Sequence, residues 1–315
     1  MRLPERILVC DPTEAEGIQI LRRAGFEVDE KPTISSEELL KDVGRYDALL
    51  VRGRTKVTRE VIQAGQKLKA VVRAGVGLDN VDVEFAMKNG IQVLSTPAAP
   101  TVSVAELTIG LMLDVLRQVS FADRNMKNGK WVKSRLMGRE LRGKTVGVIG
   151  AGGRIGSEVV RILKTGFGAN VIGYDITDIS SRAALLGMQL AKDLDDLLTS
   201  CDIVTIHVPY SEATHYLLNA ERIGKMKKGS ILINTSRGDI VDGQALLKTL
   251  AEEHLSGAGL DVFHNEPPKE EWEKELVSLP DGITVCTCHI GAQTIESQRT
   301  ASVIAAEALI KILKP

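Results

Sequence analysis

Cysteine is scarce in this chain, with four in 315 residues, at positions 10, 201, 286 and 288. Thiols so few and so dispersed make no disulfide framework and point to a reducing cytosol. Charge of one sign is equally lacking. Forty basic residues face 41 acidic ones, so no net field draws in nucleic acid or an anionic membrane. No apolar run approaches the roughly 18 residues of a membrane span. The opening Met1-Arg2-Leu3-Pro4-Glu5-Arg6 passes straight into a strand-like Ile7-Leu8-Val9-Cys10. That leaves no room for a signal peptide, and a cytoplasmic location is expected. Low-complexity segments are missing too. No metal is expected: Cys286-Thr287-Cys288-His289 lacks a second Cys/His pair at zinc spacing. Thiols alternating on a strand would also point to opposite faces. What remains, 43% hydrophobic and 26% charged, is ordinary for a globular chain long enough to hold two domains.

Strand-like and helix-like segments alternate almost throughout, the pattern of parallel sheets covered by helices on both faces. The first series predicts strands near 6–10, 26–29, 47–51, 69–72 and 91–94, with helices near 13–24, 36–43, 58–65 and 82–89. Gly25 and Gly90 stand just past two of those helices as stops. The second series predicts strands near 145–149, 170–174, 202–206, 230–234, 256–260 and 283–287. Its helices fall near 154–165, 194–199, 219–225 and 242–253. Between the two lies a helical stretch from Thr101 to about Asn128, entered through Pro97-Ala98-Ala99-Pro100, with Ser103 and Glu106 in capping-box spacing. It is apolar around most of its surface and is expected to be buried on all sides, within one subunit or at a homodimer contact. The last helical run, Thr294 to Leu313, has a pattern that lets it return to the first domain. The expected architecture is therefore two doubly wound, Rossmann-like α/β domains. The first, 1–99 with 293–315, is discontinuous; the second is 100–292.

The stretch richest in information is Val146-Gly147-Val148-Ile149-Gly150-Ala151-Gly152-Gly153-Arg154-Ile155-Gly156, with Gly173-Tyr174-Asp175 beyond it. It reads as buried strand, glycine-dense turn and helix start, then a second strand ending in an acid. Glycine lets the backbone approach a pyrophosphate, and the helix N-terminus supplies unpaired N–H groups and partial positive charge to receive it. Asp175, 19 residues past Gly156, is placed to bond ribose hydroxyls and repel a 2′-phosphate, favouring NAD over NADP. In the usual spacing from Gly150 and Gly152, position 155 would be glycine, but it is Ile155. The run reads better as Gly150, Gly153 and Gly156, with one additional residue in the turn.

Three segments after strands of the second series carry candidate chemistry: Asn234-Thr235-Ser236-Arg237-Gly238, Asp261-Val262-Phe263-His264-Asn265-Glu266-Pro267-Pro268 and His289-Ile290-Gly291-Ala292. In a doubly wound sheet the carboxyl ends of strands line the ligand crevice, so all three can converge on a nicotinamide. Arginine, carboxylate and imidazole together suit oxidation of an alcohol beside a carboxylate. Arg237 can clamp that carboxylate through its fork of donors. His289 can take the hydroxyl proton, and Glu266 can favour its protonated ring. Singly, each residue has a plainer structural reading; their shared placement after strands is what singles them out.

The chain resembles the D-isomer-specific 2-hydroxyacid dehydrogenase family over nearly its whole length, and within it the branch acting on 3-phosphoglycerate. Val51-Arg52, Lys56-Val57-Thr58, Arg73-Ala74-Gly75-Val76-Gly77-Leu78-Asp79-Asn80-Val81-Asp82 and Ser103-Val104-Ala105-Glu106-Leu107-Thr108 carry the likeness. So do Asn128-Gly129-Lys130-Trp131, Met137-Gly138-Arg139-Glu140-Leu141, Gly259-Leu260-Asp261-Val262-Phe263, Glu266-Pro267-Pro268 and His289-Ile290-Gly291-Ala292. The resemblance implies Arg237, Glu266 and His289 as the catalytic set. It implies NAD contacts from Val76, Arg154, Ile155, Asp175, His207, Val208, Pro209, Thr235, Ser236, Asp261, Gly291 and Ala292, beside the glycines at 150, 153 and 156. Val76 and Gly77 match a loop that meets substrate through its backbone, and Arg52 matches a substrate-binding arginine. Arg54, Lys133 and Arg135 are further cations that could reach a phosphate. A homodimer built on the helix after Pro100 follows from the same likeness. The end at Pro315, without the regulatory domain of longer relatives, leads to the expectation that serine does not feed back through such a domain.

The leading expectation is thus NAD-dependent oxidation of 3-phosphoglycerate to 3-phosphohydroxypyruvate, the entry to serine synthesis. A reductase for glyoxylate, hydroxypyruvate or another small 2-keto acid is the nearest rival. An NAD-sensing corepressor that binds peptides is the reading from a different class. A cleft between two domains also predicts closure on binding.

Overall fold

Alternation of branched apolar residues with a period of two builds the first sheet. Its strands are β1 (Arg6–Val9), β2 (Glu27–Glu30), β3 (Ala48–Val51), β4 (Ala70–Arg73) and β5 (Gln92–Ser95), all parallel and ordered β2-β1-β3-β4-β5. Successive side chains point to opposite faces, so the two cores interleave along each strand. Leu8, Cys10, Leu49, Val51 and Val71 pack with Leu39, Val61 and Ile62 of the helices α2 (Ser36–Asp42) and α3 (Arg59–Ala64). Ile7, Val9, Leu50 and Val72 face Ile18 and Leu21 of α1 (Ala15–Arg23) and Ala301, Ala305 and Leu309 of the chain's last helix, α13 (Ile295–Leu313). A further helix, α4 (Val83–Lys88), completes the first face.

These coordinates form a computed structural model, which describes residues 4–280 and 282–314. The first three residues of the N-terminal reading above, residue 281 and the terminal residue 315 lie outside the described residues. The chain divides into two units, one of Met1–Thr101 with Ala292–Pro315 and one of Val102–Gly291. Among the described residues, no helix is long and apolar enough to cross a membrane.

The second unit begins with α5 (Thr101–Arg117) and α6 (Val119–Lys127). Then follow β6 (Thr145–Ile149), α7 (Arg154–Ile162), β7 (Asn170–Tyr174), α8 (Ser180–Leu186), β8 (Gln189–Leu190), α9 (Leu194–Ser200) and β9 (Ile203–Ile206). The remainder is α10 (Ala220–Lys225), β10 (Ile231–Asn234), α11 (Gly243–Ala251), β11 (Gly257–Leu260), α12 (Glu271–Val277) and β12 (Thr284–Cys286). Its seven strands are parallel in the order β12-β11-β10-β9-β6-β7-β8, so strand order reverses at β6. Val146, Val148, Ile203 and Ile233 pack under Met112 and Val115 of α5 and Val159 of α7. Ile149, Val204, Ile206 and Leu232 pack against Leu197, Leu246 and Leu276 on the other face.

Several local expectations give way here. The helix after Pro100 is two helices, because Gln118 turns left-handed at φ +54° and Asp114 then caps the new start through the Ser120 N–H, 2.8 Å away. Ser103 caps nothing: the helix already begins at Thr101, and the Ser103 hydroxyl donates to the Gly291 carbonyl. Within the single chain α5 is not covered all round, since Val102, Glu106, Gly110 and Arg117 are exposed along one line of it, which leaves the other alternative, burial at a subunit contact. β8, α8 and α12 are additional elements.

Close packing in the first unit turns on one small residue. A Cβ added to Gly17 of α1 would stand 2.4 Å from the Ser302 carbonyl oxygen of α13, backbone that cannot rotate away. Gly17→Ala is expected to force the two helices apart and to destabilise the unit by about 1–3 kcal/mol. Chemical denaturation reads this as a lower unfolding midpoint; an unchanged midpoint would show that the contact yields freely.

Candidate active site

β6 ends buried at Ile149, and the chain must turn out and enter α7 within four residues. Gly150 adopts φ +83°, and a Cβ there would lie 2.6 Å from the His207 carbonyl oxygen at the end of the neighbouring β9. A Cβ on Gly156 would lie 2.2 Å from the Gly150 carbonyl oxygen, so α7 starts directly over the turn. At Gly152 it would meet Asp175 Oδ2 at 2.7 Å. Space therefore demands glycine at 150, 152 and 156, while Gly153 is the N-cap of α7 with an ordinary φ of −68°. The sequence reading passed over Gly152 because the additional residue blurred which glycine touches what.

Asp175 closes this turn from the end of β7. Its Oδ2 accepts the Gly152 N–H at 2.9 Å, and its Oδ1 accepts the Thr177 N–H and hydroxyl at 3.1 and 3.0 Å. Arg182, which nothing in the sequence singled out, reaches back from α8 to donate to the Gly152 carbonyl and, at 2.9 Å, to the Ser157 hydroxyl. Among the described residues no side chain caps the N-terminus of α7, which leaves its first amides and its dipole to an anion. Positions closed to Cβ, open amides and an acid at the next strand end fit a dinucleotide. The amides of Arg154 and Ile155 would hold its pyrophosphate, and Asp175 its ribose hydroxyls; the Gly153 N–H already donates to the Gly150 carbonyl at 3.0 Å.

Across the reversal, β9 leads into His207, Val208 and Pro209. The His207 ring reaches the buried Thr205 hydroxyl at 3.0 Å, and burial pushes its pKa down to about 3, so it stays neutral. The Ser236 hydroxyl donates to the Val208 carbonyl, and the Thr235 and Thr108 hydroxyls pair at 2.9 Å. The first contact pins the segment after β10 against the segment after β9, and the second ties it to α5.

Three adjacent strand ends present the candidate chemistry. After β10, the Asn234 side chain donates to the Arg237 carbonyl at 2.8 Å and accepts the Ser236 N–H at 3.0 Å, shaping the loop that carries Arg237. After β11 comes Asp261, 1% exposed. Its carboxylate accepts the Thr287 hydroxyl at 2.6 Å and the Ile290 and Gly291 N–H groups at 2.8 and 2.9 Å. Its backbone carbonyl accepts the His289 N–H at 2.8 Å. Asp261 thus fixes the loop after β12 that presents His289, which sits at φ +56°. His289 Nδ1 donates to Glu266 Oε2 at 2.6 Å, and Glu266 Oε1 accepts the Phe263 N–H at 3.3 Å. Burial alone would raise the Glu266 pKa. The His289 bond and charge, the Phe263 N–H and the Arg237 charge outweigh it and hold the carboxyl below its ordinary value. With Nδ1 engaged, Nε2 is left to exchange a proton.

Beside the pair lies a cavity of about 610 Å³ lined by Phe263, Pro267, Val277, Cys286, Cys288 and Ile290 among others. The expectation that the two thiols point to opposite faces fails, because residues two apart on an extended segment share a face, and Cys286 and Cys288 both line this cavity.

The remaining candidates lie elsewhere. In the first unit, the buried Asp11 accepts the Arg52 N–H at 2.5 Å and the Thr55 hydroxyl at 2.7 Å. It also pairs with Arg54 at 3.0 Å. The Arg54 guanidinium donates further to the carbonyls of Cys10, Pro32 and Ile34, so most of its fork holds its own loop together. Arg52 donates to the Pro12 carbonyl at 3.1 Å, and burial lowers its pKa. Val76 is 41% exposed beside Gly77, on a loop tied down by Gly75 and Thr96. Ala292 opens the returning segment of that unit, its carbonyl accepting from Gln298 at 2.6 Å. In the second unit, Lys133 and Arg135 share a short turn, with Arg135 over the Phe121 ring.

The glycine turn at the reversal of a parallel sheet places this chain among the α/β dehydrogenases that bind NAD. Residues 109–291 match the family model described as the D-isomer specific 2-hydroxyacid dehydrogenase, NAD binding domain. The chain is 43% identical over 309 residues to a D-3-phosphoglycerate dehydrogenase of Methanocaldococcus jannaschii, covering 98% of this chain but 57% of that one. It is 42% identical to a hydroxypyruvate reductase of Thermotoga maritima, covering 98% of each. The D-lactate dehydrogenase from Aquifex aeolicus, solved with NAD and lactic acid, superposes with a TM-score of 0.84 at 27% identity, over 98% of this chain and 96% of that one. The chain belongs to the D-isomer-specific 2-hydroxyacid dehydrogenase family.

Gly156→Ala is expected to weaken NAD binding at least about tenfold, since the new methyl must displace backbone that shapes the turn. Calorimetric titration of NAD measures it, and an unaltered dissociation constant would remove the turn from the cofactor site.

Proposed function

We propose that this protein oxidises a D-2-hydroxy acid with NAD, and that its substrate is 3-phosphoglycerate. The observation that carries the reading is the 2.6 Å bond between His289 Nδ1 and Glu266 Oε2, set on strand ends beside the one that bears Arg237. In this reading Arg237 grips the substrate carboxylate and polarises the neighbouring oxygen with its fork. His289 Nε2 takes the hydroxyl proton, and Glu266, held ionised, stabilises the imidazolium that forms. NAD, when bound, supplies the hydride chemistry. The first unit would bind substrate, with Arg52 and the backbone of Val76 and Gly77 nearest to it, and the second unit NAD.

The phosphoglycerate assignment draws on the naming of the archaeal relative. A reductase of hydroxypyruvate or another small 2-keto acid is favoured by one specific observation, the inward engagement of Arg54, which leaves fewer cations for a phosphate. The Thermotoga relative, matched along its whole length, carries that second name. The reading also includes a cytoplasmic homodimer. Exposed Val102, Val119, Met126, Trp131 and Met137 along α5, α6 and the following segment supply apolar surface for the contact.

His289→Asn is expected to lower kcat by about 10²–10⁴-fold with little change in NAD affinity. Steady-state kinetics and NAD titration check it. Retained turnover would remove His289 from proton transfer. A panel of 3-phosphoglycerate, glycerate, lactate and the matching 2-keto acids separates the substrates. A strong preference for the phosphorylated acid supports the first reading, equal or reversed preference the second. Peptide binding without any turnover would leave only a corepressor-like role.

A further inference from the structure

The loop carrying Arg237 and the loop carrying Glu266 meet away from the His289 pair as well. A Cβ on Gly238 would stand 2.1 Å from the Phe263 carbonyl carbon and 2.5 Å from the His264 nitrogen, so the two backbones are in direct contact there. Immediately beside that contact, His264 Nδ1 meets Asp239 Oδ1. The Asp239 carbonyl is held in turn by the Tyr216 N–H at 2.8 Å. On its other side His264 faces the start of α12, where the Trp272 ring lies 6.2 Å away and Glu270 and Glu273 add negative charge. Glu273, 1% exposed, accepts the N–H groups of Asn265, Lys269 and Glu270 at 2.7–3.0 Å and so fixes the chain just past His264.

We propose that His264 is a positioning residue, whose protonated ring, paired with Asp239, clamps the arginine-bearing loop to the glutamate-bearing loop and keeps Arg237 in register with the Glu266–His289 pair. The proposal deepens the dehydrogenase reading and rests on it. One backbone contact at Gly238 fixes a distance but leaves a hinge. A second contact one residue along each loop removes the hinge, and only that second contact carries a titratable charge.

The sign follows from the surroundings. The hydrogen bond that His264 donates to Asp239 raises the His264 pKa, opposed by burial and assisted by the charges of Asp239, Glu273 and Glu270, to a net value above the ordinary 6.5. A group raised on folding contributes fully below its unfolded pKa and loses that contribution as pH climbs through the folded one. The clamp is therefore fully charged below the ordinary imidazole value and slackens as pH climbs above it. With side chains 44% and 31% exposed, solvent screens the pair and its effect is modest.

His264→Gln isolates the charge, because glutamine still offers Asp239 a donor but never a cation. The ratio of kcat/KM for wild type over H264Q is taken from about pH 5.5 to about 9, which cancels the pH dependence common to both. It should be about threefold at the acid end and fall to about one above the His264 pKa. Asp239→Asn should give the same curve and, by NMR, a lower His264 pKa. A ratio that is flat with pH, whether one or larger, would overturn the clamp, since a purely structural contact acts equally at all pH. If H264Q does not fold, D239N supplies the ratio. Absence of turnover on every 2-hydroxy acid sinks the dehydrogenase reading separately. The same ratio is then taken from dissociation constants of oxalate, a planar mimic of a 2-keto acid.

Discussion

A single buried carboxylate, Asp261, holds the site in shape. It is almost fully excluded from water, and an ionised carboxylate is stable there only with several donors. It finds them in Thr287, Ile290 and Gly291, all on the loop that presents His289. The left-handed backbone of His289, costly for a residue with a Cβ, persists because the donors on both sides leave it no alternative. Further support comes from α5, whose Ser103 hydroxyl holds the Gly291 carbonyl. The end of β11 thus sets both partners of the His289–Glu266 bond. Glu266 follows five residues after Asp261, and His289 hangs from its carboxylate.

Glycine performs the complementary task of bringing backbones closer than side chains allow. Gly150 and Gly156 let the β6 turn fold beneath α7, while Gly238 lets the Arg237 loop touch the Phe263 backbone. In each case the approach joins the carboxyl ends of neighbouring strands, where a ligand is expected in a doubly wound sheet. Close backbone contact restrains these loops without long side chains, leaving room in the crevice.

Much of this was legible in sequence because it depends on periodicity and on polar residues after strands. Each predicted strand has a counterpart within one or two residues, since every second position of Ile7–Val9 or Val146–Ile149 had to be apolar for one core or the other. What escaped lacks a local signature. The break at Gln118 has neither glycine nor proline, and its cause is the side chain of Asp114 four positions earlier. β8 is two residues long, and α12 begins from the backbone N–H groups that Glu273 caps after two prolines. Arg54 read as a phosphate cation because it stands beside Arg52, which matches a substrate-binding arginine. Its partners at Cys10, Asp11, Pro32 and Ile34 are brought to it only by the fold. Asp261 stood out as a residue at a strand end, but its role in holding the histidine loop needed the third dimension.

Three histidines show how position decides whether an imidazole can take part in proton chemistry. His207 sits at a strand end in the same crevice, yet burial without an anionic partner keeps it neutral across the physiological range. His264 has a carboxylate partner and favours the charged form, but its bond joins two loops of the fold. His289 too carries a carboxylate on Nδ1 and a partly exposed ring, but its pair with Glu266 lines the cavity of about 610 Å³ at the strand ends, which His264 does not. Both His289 and Glu266 are partly exposed, so this pair, unlike the His207 ring, stands open to solvent at the strand ends.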